Sequence, residues 1–146
     1  MVTLALVREF RYIYAAVSPW DGRLCYSITE KMNTENMNLH LSQVSKRFRN
    51  SFSIIIFDGA PSNRSHNLIV PKNIGLIQFP PYSPELNPVE QIWRLLRGKY
   101  YANRSFNTLS EAISQADKGL CEVASDKKAI SRLTNWPCIS DILNAY

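Results

Sequence analysis

The sequence is poor in the features that mark several common protein classes. Its five glycines include no glycine-rich phosphate loop, which argues against an α/β nucleotide-binding module. Its longest apolar stretches, such as residues 53–57, are far shorter than the roughly 20 residues that span a bilayer. Cys25, Cys121 and Cys138 form no CxxC pair and no zinc pattern with a histidine. Buried free thiols in a reducing cytoplasm are therefore expected.

The composition indicates one globular domain that suits a polyanionic partner. With 146 residues, 45% of them hydrophobic, the chain can bury a core. Its net charge of +5 suits nucleic acid, because Lys and Arg side chains that neutralise phosphates release condensed counterions. Many proteins without such a partner are equally basic, so the charge alone does not decide. The apolar residues 2–7 follow no basic region, and no secretory signal peptide is expected.

The order of predicted elements is that of an α/β fold with a mixed sheet. The segments rich in β-formers predict a hairpin around the tight-turn pair Asp21-Gly22, and helical spacing and capping residues predict the helices. The uninterrupted apolar run at 54–57 is typical of a strand covered on both faces, as in a parallel sheet. In chain order, the predicted elements are strands at 11–18 and 23–28, a helix at 34–49, strands at 54–57 and 74–79, and helices from Pro88 and from Thr108.

Asp58 and Glu90 are the candidate functional carboxylates. Asp58 directly follows the apolar strand, and functional groups gather at the carboxyl ends of strands in open α/β sheets. An Asp that only begins a turn with Gly59 is an equally good interpretation. Glu90 comes three residues after the predicted cap Asn87, where a glutamate can complete a capping contact. Four prolines between positions 80 and 88 stiffen the preceding loop, as the precise placement of a metal ligand requires.

Two longer motifs connect these carboxylates to a known family. Residues 56–61, Ile-Phe-Asp-Gly-Ala-Pro, and residues 79–93, Phe-Pro-Pro-Tyr-Ser-Pro-Glu-Leu-Asn-Pro-Val-Glu-Gln-Ile-Trp, resemble the mariner-related bacterial insertion-sequence transposases of the DDE type. The resemblance implies an RNase H-like (retroviral-integrase-like) fold in which Asp58 and Glu90 are the second and third catalytic, metal-binding carboxylates. It also implies Mg²⁺ or Mn²⁺ as cofactor, double-stranded DNA (transposon ends and target) as partner, a homodimer, and a nucleoid-associated protein.

The chain departs from this family at its first carboxylate. In the family, the first Asp lies on a central strand before the hairpin, whereas Glu9 is the only acidic residue ahead of the hairpin here. Asp21 occupies the hairpin turn, at the wrong end of the strands. We therefore expect residues 1–146 to be an N-terminally truncated catalytic domain, with two sheet fragments that have exposed edges, and to be inactive alone. Asn63 also stands where many relatives have a histidine, and an amide cannot shuttle protons.

Basic residues surround the two motifs and are the candidate DNA contacts. Phosphate contacts of this kind would position DNA without reading its sequence. For each residue singly, a solvated basic face is at least as good an interpretation, and a non-catalytic DNA-binding or oligomerisation remnant is the main alternative to a transposase. The candidates are Arg64, Lys72, Arg94, Arg97, Lys99 and Arg104.

Overall fold

Four strands, four α-helices and one π-helical turn make up the parts of the chain that the computed structural model describes, residues 11–57, 66–78 and 87–135. The predicted α/β order is confirmed, and the structure adds a helix at Lys127–Thr134 that the sequence did not predict. In chain order the elements are β1 (Tyr12–Val17), β2 (Leu24–Thr29), α1 (Thr34–Arg47), β3 (Ser53–Phe57), β4 (Ile74–Gln78), α2 (Val89–Leu96), the π-turn (Arg97–Tyr101), α3 (Leu109–Ser125) and α4 (Lys127–Thr134). Within these residues, no helix is both long and apolar enough to cross a membrane.

The predicted hairpin is present, and its turn packs against α4. Gly22 adopts a φ of 72°, in the left-handed region that favours glycine, and donates its N–H to the Ser18 carbonyl at 2.8 Å. A Cβ atom on Gly22 would lie 1.8 Å from the carbonyl oxygen of Lys127, the first residue of α4. Ser131 of α4 donates its hydroxyl to the carbonyl of Pro19 at 2.8 Å. The backbone of the hairpin turn therefore packs directly against the backbone of α4.

The described strands form two separate two-stranded sheets. In the hairpin sheet, β1 and β2 pair antiparallel, with Tyr12 opposite Thr29. In the other, β3 and β4 pair parallel, with Phe57 opposite Gln78 at their carboxyl ends. The parallel pairing is as the sequence predicts, but no main-chain bond joins the two sheets within the described ranges.

The hydrogen-bond register shows which strand edges are unpaired. The Ser18 N–H donates to the Arg23 carbonyl at 2.8 Å, so the residues of β1 that bond to β2 alternate, and the main-chain groups of Ile13, Ala15 and Val17 point away from β2. The Ser53 N–H donates to the Asn73 carbonyl at 2.8 Å, so the main-chain groups of residues 54 and 56 in β3 point away from β4. Among the described residues, both of these edges lack a neighbouring strand.

Helix α1 packs against one face of both sheets. Asn33, not the predicted Thr34, caps it, because the Asn33 side chain accepts the N–H of Asn36 at 2.9 Å. The predicted apolar stripe is buried and forms the α1 cluster with residues from all four strands. Its buried members are Tyr14 of β1, Cys25 of β2, Ile74 of β4, and Met37, Leu41 and Val44 of α1, with Ile55 of β3 packed against them.

The later helices cover the opposite face of the hairpin alone. They form a second cluster, the helix-layer cluster, with Leu24 of β2 and with half-buried residues of both hairpin strands. Gly119 of α3 allows close packing here, since a Cβ atom on it would lie 2.7 Å from a methyl of Leu96. The other buried members are Ile92, Leu96, Tyr100, Leu120, Val123 and Ile130, and none comes from β3 or β4.

Two predictions about burial are wrong. β3 is covered on one face only: the side chains of Ile54 and Ile56 are 62% and 42% exposed, because α1 covers one face of this sheet and the helix-layer cluster does not extend over the other. The second wrong prediction is that all three cysteine thiols are buried. Cys25 is buried as predicted, whereas Cys121 is exposed, and Cys138 falls outside the described residues.

Replacing the glycine of the hairpin turn tests its contact with α4. We expect Gly22→Ala to lower the free energy of unfolding by about 2 kcal/mol or more, because both the φ angle and the Lys127 carbonyl oppose a side chain. Gly98→Ala is the matched control, since a Cβ atom there would meet nothing within 4 Å. Urea unfolding followed by circular dichroism measures both, and equal losses would contradict the proposed contact.

The buried His40 makes stability dependent on pH. Its ring stacks on Tyr14 and lies 3.3 Å from the Ser27 hydroxyl through Nδ1, and burial lowers its pKa from 6.5 to about 4, against a hydrogen bond with Gln43. The unfolded chain takes up this proton below pH 6.5 and the folded chain does not, so stability present above pH 6.5 is lost as the pH falls towards 4. We expect a loss of about 3 kcal/mol relative to His40→Gln over this window in urea titrations. Parallel pH profiles for the two proteins would disprove it.

Candidate metal-binding and nucleic-acid site

β3 and β4, which precede the predicted site in the chain, end opposite each other in their sheet. Phe57, the last residue of β3, lies opposite Gln78, the last residue of β4. Asp58 follows Phe57 in the sequence but lies outside the described residues. Arg64 also lies outside them. The roles of both residues stay predictions.

The first turn of α2, which carries Glu90, has the capped structure that the sequence predicts. The Asn87 side-chain oxygen accepts the N–H of Val89 at 3.1 Å, and its carbonyl accepts the N–H of Glu90 at 3.0 Å. Pro88 has the helical φ of −58° expected at the first position of a helix. Asn87 is therefore the N-cap of α2. Pro88 is then the first helical residue, one position before Val89, and Glu90 occupies the third helical position.

The Glu90 carboxylate makes no hydrogen bond and no ion pair within the described part of the chain, although it is half-buried. Its alternative role, a capping contact back to residue 87, is therefore not observed. Glu111, at the same position of α3, does make such a contact: it accepts the N–H of Asn107 at 3.0 Å, while Thr108 accepts the N–H of Glu111 at 3.2 Å. The two glutamates share a helical position and differ in their contacts.

Packing fixes the direction in which Glu90 points. Ile92 and Leu96 on the opposite side of α2 are fully or nearly fully buried in the helix-layer cluster, with Trp93 packed against it. Residues at 92 and 96 recur at helical spacing, so the intervening face with Glu90 and Arg94 turns away from that cluster. A carboxylate on a packed helix is held more firmly than one on a loop.

The π-turn that follows α2 is also held in place. The Tyr100 hydroxyl donates to the Glu122 carboxylate at 2.5 Å, and this bond, with burial, raises the pKa of Tyr100 to about 12. Gln115 donates to the Tyr100 carbonyl at 2.9 Å, and Tyr101 donates to the Ala112 carbonyl at 2.7 Å. Three contacts thus join the turn to α3. Single π-turns are frequent at functional sites.

The described members of the predicted basic set are exposed. Arg94 lies on α2, Arg97 and Lys99 lie on the π-turn, and Lys72 lies just before β4. The Lys99 ammonium is 5.5 Å from the centroid of the Tyr100 ring. Within the described ranges the only ion pairs are Arg11–Glu30 and Arg23–Asp21, so these cations carry uncompensated charge. Arg94, four residues after Glu90, does not pair with it.

A polar trough beside β2 was not predicted from the sequence. It measures about 630 Å³ and lies between α1 and α3, with Arg47 on one wall and Asp117 on the other. The Tyr26 hydroxyl donates to Asp117 at 2.7 Å and lies 2.9 Å from the Cys121 sulfur. Burial, followed by these two neighbours, raises the pKa of Tyr26. The only sequence signal was the four-residue spacing of Asp117 and Cys121, which places them on one face of α3.

Comparison with known sequences identifies the family. The sequence profile described as DDE superfamily endonuclease matches residues 8–113, which include β3, α2 and both predicted carboxylates. The chain therefore belongs to the DDE superfamily of endonucleases. It is 34% identical over 104 residues to the uncharacterized protein y4pE/y4sA of Sinorhizobium fredii, and the match covers 70% of this chain and 77% of that protein. No solved structure matches.

Three alanine substitutions test whether Asn87 and Glu111 stabilise their helices as caps while Glu90 does not. We expect Asn87→Ala and Glu111→Ala each to lower the free energy of unfolding by about 1 kcal/mol, because each removes an acceptor from a helix N-terminus. We expect Glu90→Ala to change it by less than about 0.5 kcal/mol, since no contact is lost. Urea unfolding measures all three. A Glu90→Ala loss equal to that of Glu111→Ala would reinstate the capping interpretation.

Proposed function

We propose that this chain is the catalytic portion of a DNA transposase of the mariner-related bacterial insertion-sequence type. The observation that carries the proposal is the Glu90 carboxylate, which is half-buried at the start of a capped, packed helix and has no partner among the described residues. Membership of the DDE endonuclease family is established by the match at 8–113, and the finer assignment is supported by the motifs at 56–61 and 79–93.

A divalent metal ion suits the residues present. Carboxylate oxygens are the ligands that Mg²⁺ and Mn²⁺ prefer, and a carboxylate without a protein partner keeps its oxygens available. In the proposal Asp58 and Glu90 hold the ion. When bound, such an ion supplies charge stabilisation at a phosphodiester and activation of a water or 3′-hydroxyl nucleophile. Packing of α2 supplies firm placement of Glu90, which lies in the first turn of that helix.

The two separate sheets of the described residues support the proposal of an RNase H-like fold. The unpaired edges of β1 and β3 belong to sheets that both pack on α1. One further strand between these edges would satisfy the main-chain groups of residues 13, 15 and 17 in β1 and of residues 54 and 56 in β3. In the family, that position belongs to the strand that carries the first Asp. Glu9 is the only acidic residue ahead of the hairpin, so we infer that residues 1–146 lack the first carboxylate and that the chain alone does not cleave DNA.

The exposed cations are the proposed DNA contacts. Lys72, Arg94, Arg97 and Lys99, with Arg64, would neutralise backbone phosphates of transposon ends and target DNA, which places the protein on the nucleoid. A homodimer is proposed on the resemblance alone. The exposure of these side chains also fits the second candidate function, a DNA-binding remnant without catalysis, because phosphate binding needs no metal.

Metal titration tests the site. We expect Mg²⁺ and Mn²⁺ to raise the unfolding temperature of the chain, and Asp58→Asn and Glu90→Gln each to abolish that shift, because each removes a charged ligand. Glu111→Gln is the matched control, as its carboxylate already serves as a cap. Thermal unfolding with and without chelator gives the readout. Metal shifts that persist in both site variants, together with salt-dependent DNA binding, would favour the remnant.

Plasmid nicking tests the absence of the first carboxylate separately. We expect the purified chain to leave supercoiled plasmid intact in Mg²⁺ or Mn²⁺, even where the metal shift is present. Nicking that disappears in Glu90→Gln would show that the chain has a working catalytic set and would overturn the inferred lack of a first carboxylate, while leaving the metal site intact.

A further inference from the structure

The outer edge of β2 carries main-chain groups that no described strand uses. The Ser18 N–H donates to the Arg23 carbonyl at 2.8 Å, and bonded residues alternate from there along the hairpin. The main-chain groups of Tyr26 and Ile28 therefore point away from β1. Within the described ranges, β1 is the only strand that pairs with β2. This edge can accept a further strand.

The polar trough beside β2 gives access to this edge. Tyr26 and Ile28 both line the trough and are half-buried. Gln43 of α1 donates its side-chain amide to the Tyr26 carbonyl at 3.0 Å, in the place that a main-chain N–H of a neighbouring strand would take. The volume of about 630 Å³ is of the size that holds a ligand. The edge is thus open at the floor of a recess with room for a few residues of extended chain.

The two walls of the trough carry opposite charges. On the α1 wall, Arg47 is exposed and takes part in neither ion pair of the described residues. On the α3 wall, Asp117 accepts the Tyr26 hydroxyl through Oδ1 at 2.7 Å, which leaves Oδ2 available. Because α1 and α3 cover opposite faces of the hairpin, an added strand would direct adjacent side chains to the two walls in turn.

We propose that the trough beside β2 binds an extended peptide segment of another protein as an added strand. The segment has an acidic side chain for Arg47 next to a basic side chain for Asp117. Main-chain donors and acceptors along a strand edge complement another peptide backbone. The site lies apart from Glu90, since α2 contributes nothing to its lining, and it does not depend on the proposed function.

The same features disfavour two other occupants. A phosphodiester backbone brings acceptors only, so it would leave the Tyr26 and Ile28 carbonyls without donors, and the Asp117 carboxylate would repel it. A second copy of the chain could present its own β2 edge only with α1 and α3 on either side of it. These helices would meet the trough walls, whereas an isolated strand enters between them.

Amide hydrogen exchange tests the added strand. The probe is the acetylated, amidated peptide Thr-Val-Asp-Lys-Val-Thr, in which β-forming residues flank the adjacent charges. We expect this peptide, added to the full chain, to slow exchange of the Tyr26 and Ile28 amides by about tenfold, because both gain a main-chain acceptor. The Ser27 amide faces β1 and should be unchanged.

Backbone methylation of the probe is the matched control. N-methyl groups on its Asp and Lys keep both charges and remove one N–H from each edge of the peptide. We expect no protection from this version. Equal protection by the two peptides, or none by either, would overturn the proposal.

A charge reversal tests the role of the walls. We expect Arg47→Glu to weaken binding of the probe by about tenfold, and a probe with Lys in place of its Asp to restore it, because the attraction forms again with reversed signs. Arg49→Glu makes the same charge change at an exposed residue outside the trough and should leave the affinity within about twofold. Equal losses from the two variants, or no rescue, would refute the proposed complementarity.

Two further outcomes would assign the edge to the other occupants and so reject a peptide partner. Protection of the Tyr26 and Ile28 amides that grows with protein concentration, without any probe, would indicate a second copy. Displacement of the probe by a single-stranded oligonucleotide would indicate nucleic acid.

Discussion

The apolar stripe of α1 is the constraint on which the remaining architecture depends. The hairpin sheet and the parallel sheet share no main-chain hydrogen bond among the described residues, so side-chain packing on α1 is what relates them. Leu41, fully buried, contributes to the same cluster as Tyr14 of one sheet and Ile74 of the other. The position of the β3 carboxyl end relative to the hairpin, and hence the approach to the candidate site, rests on this packing.

Local chemistry in the sequence predicted the elements well. The Asp-Gly turn, the apolar stripe of α1, and the Asn87 cap each depend on residues close together in the chain, and each is found within a residue or two of its predicted place. What could not be predicted depends on distant neighbours. The run Ile54–Phe57 has the composition of a strand buried on both faces, yet only the presence or absence of a covering layer decides whether Ile54 is buried.

The two glutamates at third helical positions show the same limit at the site. Position relative to the cap predicts one role for both, and Glu111 fulfils it. Glu90 does not, and neither its helix type nor its cap distinguishes it. The distinguishing signal lay outside the helix, in the proline-rich motif that precedes it. Asp58 lies beyond the described residues, so its position relative to Glu90 stays a prediction.

The contact between the hairpin turn and α4 has a consequence for the order of folding. Gly22 and Lys127 are separated by most of the chain, so their contact closes a very long loop and forms late relative to local structure. During synthesis the hairpin leaves the ribosome long before α4 exists, and the helix-facing side of the turn, including the Pro19 carbonyl that receives the Ser131 hydroxyl, remains hydrated until then. Emergence of α4 from the ribosome, rather than emergence of the strands, therefore sets the moment at which the hairpin reaches its final packing.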